Sequence, residues 1–124
     1  MDAKIFFGSE ESTKESMSER RSPYNKKVVS YAPICDAEDT KNALKIAQNA
    51  TKAAKASTLS QRCNWLLDVA NNLALNKEDM ALTITDEVGK PLAFSRVEVD
   101  RAIETIMLSA ETMRTMHGET INTD

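Results

Sequence analysis

Residues 58–76 read Thr58-Leu59-Ser60-Gln61-Arg62-Cys63-Asn64-Trp65-Leu66-Leu67-Asp68-Val69-Ala70-Asn71-Asn72-Leu73-Ala74-Leu75-Asn76. Thr58 and Gln61 stand three apart, the spacing at which a side-chain oxygen and an amide cap each other's backbone N–H at the start of a helix. Leu59, Cys63, Leu66, Leu67, Ala70, Leu73 and Ala74 then recur at intervals of three and four, which puts them on one helical face. Downstream, Asn76 is the next candidate cap, Met80, Ile84 and Val88 mark a short helix, and Gly89 suits the left-handed conformation that ends one. Pro91 fits the first turn of a further helix, where its missing N–H costs nothing. That helix carries the stripe Ser95, Val99, Ala102, Ile103, Ile106, Ala110 and Met113 on to Gly118. Upstream, Asp36 caps a helix whose apolar positions Ala43, Leu44, Ala47, Ala50 and Ala54 form an alanine-rich face suited to close packing.

The first 35 residues are punctuated differently. Ala3 to Phe7 is an apolar run closed by Gly8-Ser9 and predicts a strand, and the polar stretch 10–21 predicts a loop. Ser22-Pro23-Tyr24-Asn25-Lys26-Lys27 predicts a turn leading into a second strand at Val28-Val29-Ser30-Tyr31, with Pro33 closing it. The expected fold is therefore mainly α: four helices in a largely antiparallel arrangement, with a short N-terminal β-hairpin. Residues 1–35 form the hairpin and loop, and residues 36–124 the helical segment.

Composition narrows the function. The chain has 124 residues, 41% hydrophobic and 28% charged, with a net charge of −3, which is the profile of one foldable unit. Its few aromatic residues and its three Gly and three Pro argue against a loop-rich β-sandwich. The pairs Arg20-Arg21 and Lys26-Lys27 are isolated, so no nucleic-acid or anionic-membrane partner is expected. No apolar run approaches the ~20 residues of a membrane helix, and a cytoplasmic location is expected. Cys35 and Cys63 lack C-x-x-C spacing and read as small apolar side chains, not as a metal or redox site.

Chemistry is sparse. His117, the only histidine, precedes Gly118, where its ring suits capping backbone carbonyls better than catalysis. Glu87, Glu98, Asp100 and Glu104 read as surface charges, and neither phosphate-cradling glycine motif occurs. No catalytic, cofactor-binding or metal-ligating residue is expected.

One segment says more. Glu87-Val88-Gly89-Lys90-Pro91-Leu92-Ala93, followed by Val97-Glu98-Val99 and Ala102-Ile103, resembles the E-T-G-K-P-L-x-E-A…E-V signature near the front of the NAD(P)-dependent aldehyde dehydrogenase superfamily. Residues 4–8 resemble that family's opening strand, Ser22-Pro23-Tyr24-Asn25 its N-P-x-x-G hairpin, Asp36-Ala37-Glu38-Asp39 its first helix start, and His117-Gly118-Glu119-Thr120-Ile121 a later element. Asn25-Lys26 departs from the pattern by lacking the usual glycine. The resemblance implies the N-terminal part of a larger α/β enzyme, the lead-in to its cofactor-binding domain. It also implies that the nucleophilic Cys, the general-base Glu, the oxyanion Asn and the dinucleotide-binding units belong to later segments, so that this chain alone is inactive and binds no cofactor. NAD or NADP is implied for the full-length enzyme, which oxidises an aldehyde to a carboxylate.

The resemblance further implies that Val97 and Arg101, one turn apart, line the passage by which aldehyde reaches the nucleophile. A guanidinium there would pair with an anionic aldehyde. The alternative for Arg101 is a surface pairing with Asp100, Glu98 or Glu104. Two other functions stay open: a free-standing helical module that partners a separate catalytic chain, and a non-functional remnant. The expected partner is the remainder of the dehydrogenase, or a second copy through exposed apolar helix surface such as Met107, Met113 and Met116.

Overall fold

The structure is a computed structural model that describes residues 3–123. Four strands precede four helices: β1 (Ile5–Phe7), β2 (Glu10–Ser12), β3 (Met17–Arg21), β4 (Val28–Pro33), α1 (Ala37–Ala56), α2 (Leu59–Leu75), α3 (Lys77–Val88) and α4 (Leu92–Thr115). The four expected helices are present. The expected single hairpin is replaced by two antiparallel ribbons, β1 with β2 and β3 with β4. β1 pairs Ile5 with Ser12, and β4 pairs with β3, so the stretch expected to be a loop supplies two strands. These ribbons are two-stranded and largely solvent-facing, so the stretch 10–21 needs no apolar run to take part. A backbone bond from Ala3 N–H to Tyr31 O, 2.8 Å, ties the first ribbon to the second.

The turn of the second ribbon explains how the sequence manages without glycine. Ser22 N–H donates to Lys27 O and Lys26 N–H to Ser22 O, both at 2.9 Å. Lys26 takes the left-handed conformation, φ 61°, at the place where the resembled motif has Gly. Lys27 N–H donates to Asn25 Oδ1 at 3.0 Å, which holds the turn locally.

Helix starts follow their caps. Asp36 Oδ1 accepts from Glu38 N–H at 2.8 Å and Asp39 N–H at 3.0 Å, while Asp36 N–H donates to Asp39 Oδ2 at 2.9 Å. Thr58 and Gln61 form the reciprocal pair the spacing predicts: Gln61 N–H to Thr58 Oγ1 at 3.2 Å and Thr58 N–H to Gln61 Oε1 at 2.8 Å. Asn76 stands at the α2–α3 junction but makes no side-chain cap; its amide donates instead to Asn72 O at 2.8 Å, closing α2 rather than opening α3. α4 begins at Leu92 with Pro91 O accepting from Phe94 and Ser95 N–H, and it ends at Thr115, three residues short of Gly118.

Lys14 anchors the ribbons to the first cap, lying 2.7 Å from Asp39 Oδ1 and 3.6 Å from Asp36 Oδ2. The Asp36 carboxyl is held below the usual aspartate range, first by the Asp39 backbone N–H and then by that of Glu38. The stabilisation it gives is therefore present in full above the ordinary Asp pKa and is lost as pH falls through the lowered value. Acidification across that window should lower hydrogen-exchange protection at the Glu38 and Asp39 amides. In Asp36→Ala that protection should already be absent at neutral pH, and unchanged protection in either case would assign the helix start to another source.

The core is thin and made of small side chains: Cys63, Ala70, Ala81, Val99 and Ala110, with Ser95 fully buried among them. All lie on α2, α3 and α4, and small residues let these helices approach closely. Cys63 Sγ lies 3.5 Å from Ala110 O, joining the start of α2 to the end of α4. Thr85 Oγ1 and Ser95 Oγ are 3.0 Å apart, joining the end of α3 to the start of α4. α2 and α3 both contact α4 extensively and each other little, so α4, about 36 Å long, supports them in succession along its length. α1 contributes nothing to this core. It has no buried residue; its expected apolar face is exposed, Leu44 at 66%, and of its apolar side chains only Ile46 is half-buried, against Gly8 of the first ribbon.

Candidate functional site

Gly89 sets the direction in which α4 departs. Its φ of 73° is left-handed, its N–H donates to Thr85 O at 2.9 Å, and a Cβ here would lie 3.0 Å from Pro23 Cγ. The α3–α4 corner is thus fitted against the turn of the second ribbon. Salt bridges then clamp α4 on its flanks. Arg96 pairs in bidentate fashion with Glu78, Nε at 2.9 Å and Nη2 at 2.5 Å, which lowers the Glu78 carboxyl and raises the guanidinium from their usual ranges. Lys77 Nζ bonds both Asp100 oxygens, at 2.6 and 2.7 Å, and Lys90 pairs with Glu98.

With its inner side and flanks committed, α4 presents its outer side to solvent. Val97 is 54% exposed and Arg101 lies one turn further on, also exposed. The surface pairing considered for Arg101 does not form: Asp100 is engaged by Lys77 and Glu98 by Lys90, and among the described residues Arg101 makes no ion pair. Phe94, exposed at 66%, extends the same face by one turn. Sequence reasoning missed Phe94, although the steps from 94 to 97 to 101 carry the three–four spacing that marks a shared face. A separate apolar groove of about 280 Å³ runs between α3 and α4, lined by Met80, Ile84, Val88 and Val99 and edged by the Lys90–Glu98 pair; neither Val97 nor Arg101 lines it.

The remaining candidates are structural. His117 Nδ1 lies 3.2 Å from Thr115 O, beside the last turn of α4, as its position suggested. Both cysteines are free thiols; Cys63 is the buried apolar side chain expected, whereas Cys35 is exposed and packs into no core. Among the described residues no group of three or more His, Cys, Asp or Glu side chains is placed to hold a metal ion. No helix of the described residues is long and apolar enough to cross a membrane. Among the described residues no helix opens on a glycine: the four begin on Asp36, Thr58, Asn76 and Pro91, so none carries the glycine-rich turn of a dinucleotide fingerprint.

The aldehyde dehydrogenase family model matches residues 9–124, and the chain belongs to that family. It is 40% identical over 106 residues to a lactaldehyde dehydrogenase of Methanococcus aeolicus, covering 86% of this chain and 23% of that protein. It is 31% identical over 111 residues to malonate-semialdehyde dehydrogenase 1 of Bacillus thuringiensis, again covering 23% of the relative. Among solved structures, aldehyde dehydrogenase 21 of Physcomitrella patens in complex with the reaction product succinate superposes with a TM-score of 0.92 at 29% identity, over 99% of this chain and 26% of that one. The chain thus spans about a quarter of the length of the relatives it matches.

Proposed function

We propose that this chain is the N-terminal part of an NAD(P)-dependent aldehyde dehydrogenase. The whole enzyme oxidises an aldehyde to its carboxylate in the cytoplasm, and the present residues are inactive alone. In this reading residues 1–35 and 36–124 form one partial domain, a mainly α, largely antiparallel arrangement leading into the cofactor-binding domain. In this reading the dinucleotide is held by segments outside this chain. A solved relative, a glyceraldehyde-3-phosphate dehydrogenase of Methanocaldococcus jannaschii, is complexed with NADP, which supports a nicotinamide cofactor for the whole enzyme.

The observation that carries the site assignment is the free guanidinium of Arg101 on the open face of α4, beside Val97, while the neighbouring charges are paired. We assign Val97 and Arg101 to the wall of the aldehyde's passage. Val97 supplies apolar contact, and Arg101 attracts a carboxylate or phosphate on the substrate. Relatives named for malonate semialdehyde, and one bound to succinate, act on or release carboxylated compounds, which suits a cation in this place. The test is Arg101→Ala in the full-length enzyme. The expected result is a loss of about tenfold in kcat/KM for a semialdehyde acid, with a neutral aldehyde of similar length little changed. An unaltered ratio between the two substrates would remove Arg101 from the passage.

A further inference from the structure

α1 carries a row of charge that its own fold does not use. Lys41, Lys45, Lys52 and Lys55 are four, seven and three residues apart, so they fall within about a quarter of the helix circumference and run along about 21 Å of its length. All four are exposed. Residues 40–57 contain no Asp or Glu, in a chain whose acids outnumber its Lys and Arg by 19 to 16. Lys41 makes one loose pair with Glu38 at 3.6 Å, with both side chains open to solvent, and among the described residues Lys45, Lys52 and Lys55 make no ion pair. Nor does the helix need them to close its last turn. Arg62 donates from Nη2 to Ala54 O and from Nε to Ser57 Oγ, both at 2.8 Å, and Ser57 N–H donates to Ala53 O.

Ala43, Ile46, Ala50 and Ala54 occupy the opposite side of the helix, where Ile46 meets Gly8 of the first ribbon. Any further structure that covers α1 seats on that apolar side, because ammonium groups keep their water and stay outside. The short span of the chain therefore accounts for the bare alanine side and not for the lysine row. Arg20-Arg21 and Lys26-Lys27 adjoin in sequence without forming such a row, Arg21 being paired with Glu19; α1 assembles one from lysines that are never adjacent. The four end on flexible stems with no arginine fork among them, which suits a surface whose charges can move to meet them better than a partner of fixed geometry. At the far end of the row Lys55 shares a groove with Trp65, 55% exposed, and an indole beside cations suits the headgroup layer of a bilayer. We propose that the lysine row of α1 docks the chain on the surface of an anionic membrane, held by charge and without crossing it.

α1 takes no part in the aldehyde's passage on α4, so this association is separate from the proposed function and is tested by partition instead of substrate preference. The 124-residue chain is sedimented with vesicles of phosphatidylserine and phosphatidylcholine in equal parts, and with vesicles of phosphatidylcholine alone. Partition onto the anionic vesicles should be at least about tenfold greater and should fall as salt rises. Lys45→Glu with Lys52→Glu should lower it by at least about tenfold. Arg20→Glu with Lys27→Glu makes the same change in net charge away from the row and should leave it within about threefold of the parent. Lys45→Gln with Lys52→Gln, which removes the charges without reversing them, should fall between the parent and K45E/K52E. All the positions changed are exposed, and each variant should keep the parent's helix content by circular dichroism. Equal partition onto the two kinds of vesicle overturns the proposal, and so do equal losses in K45E/K52E and R20E/K27E, which would assign the effect to net charge. Tighter binding to polyglutamate or to duplex DNA than to the anionic vesicles would give the row to a protein or nucleic-acid partner and overturn the membrane assignment.

Discussion

Val99→Asp should unfold the chain or bring it to the edge of unfolding. Val99 is 3% exposed on the inner face of α4, and it is the bulkiest aliphatic side chain in a buried set otherwise made of Cys, Ala and Ser. An aspartate there places a carboxylate among Met80, Ile84 and Val88, while Lys90, the cation lining the same groove, is already paired with Glu98. An unpaired buried charge costs about 3–5 kcal/mol, against a total stability for a domain of this size of only about 5–15 kcal/mol. The measurement is urea unfolding followed by circular dichroism. The expected result is a midpoint shifted far toward zero denaturant, and a midpoint within error of the parent would mean that Val99 is not part of a cooperative core.

Gly89→Ala should cost about 2 kcal/mol, from two sources that can be separated. The first is conformational: a φ of 73° places an L-residue in the left-handed region, at about 1–2 kcal/mol. The second is contact, because the new methyl would stand 3.0 Å from Pro23 Cγ and the ribbon turn has to shift. A double-mutant cycle with Pro23→Ala divides the two, since removing the proline ring relieves contact and leaves the backbone term. The expected outcome is a smaller loss for Gly89→Ala in the Pro23→Ala background than in the parent. Equal losses in the two backgrounds would mean that the corner and the ribbon are not in mechanical contact.

What the sequence made legible was whatever local chemistry decides. Asp36, Thr58 with Gln61, and Gly89 each act within a few residues of themselves, and each stands in the structure where its own hydrogen bonds put it. The stripe on α4 was legible for the same reason, since Ser95, Val99 and Ala110 follow from helical period alone. Long-range placement was not. Residues 10–12 and 17–21 become strands because a partner lies alongside, and nothing in Glu10 or Arg20 advertises that partner. Ala43, Leu44 and Ala47 have the period of a buried face and yet remain exposed, because periodicity tells which residues share a side and not whether anything covers it. In the candidate site, Val97 and Arg101 came from the family resemblance. The free state of the guanidinium came only from seeing Lys77 and Lys90 take the carboxylates that sequence proximity offered to Arg101.

The arrangement of α2 and α3 in succession along α4 gives this small chain its cooperativity. Neither shorter helix leans much on the other, so each has the same neighbour to lose. Fraying at Thr115 strips α2 of the surface around Ala110, and fraying at Leu92 strips α3 of the surface around Ser95. A break in the middle of the long helix strips both at once. α4 is therefore the splint of the molecule: two packing interfaces that never meet rise and fall together through the rod they share.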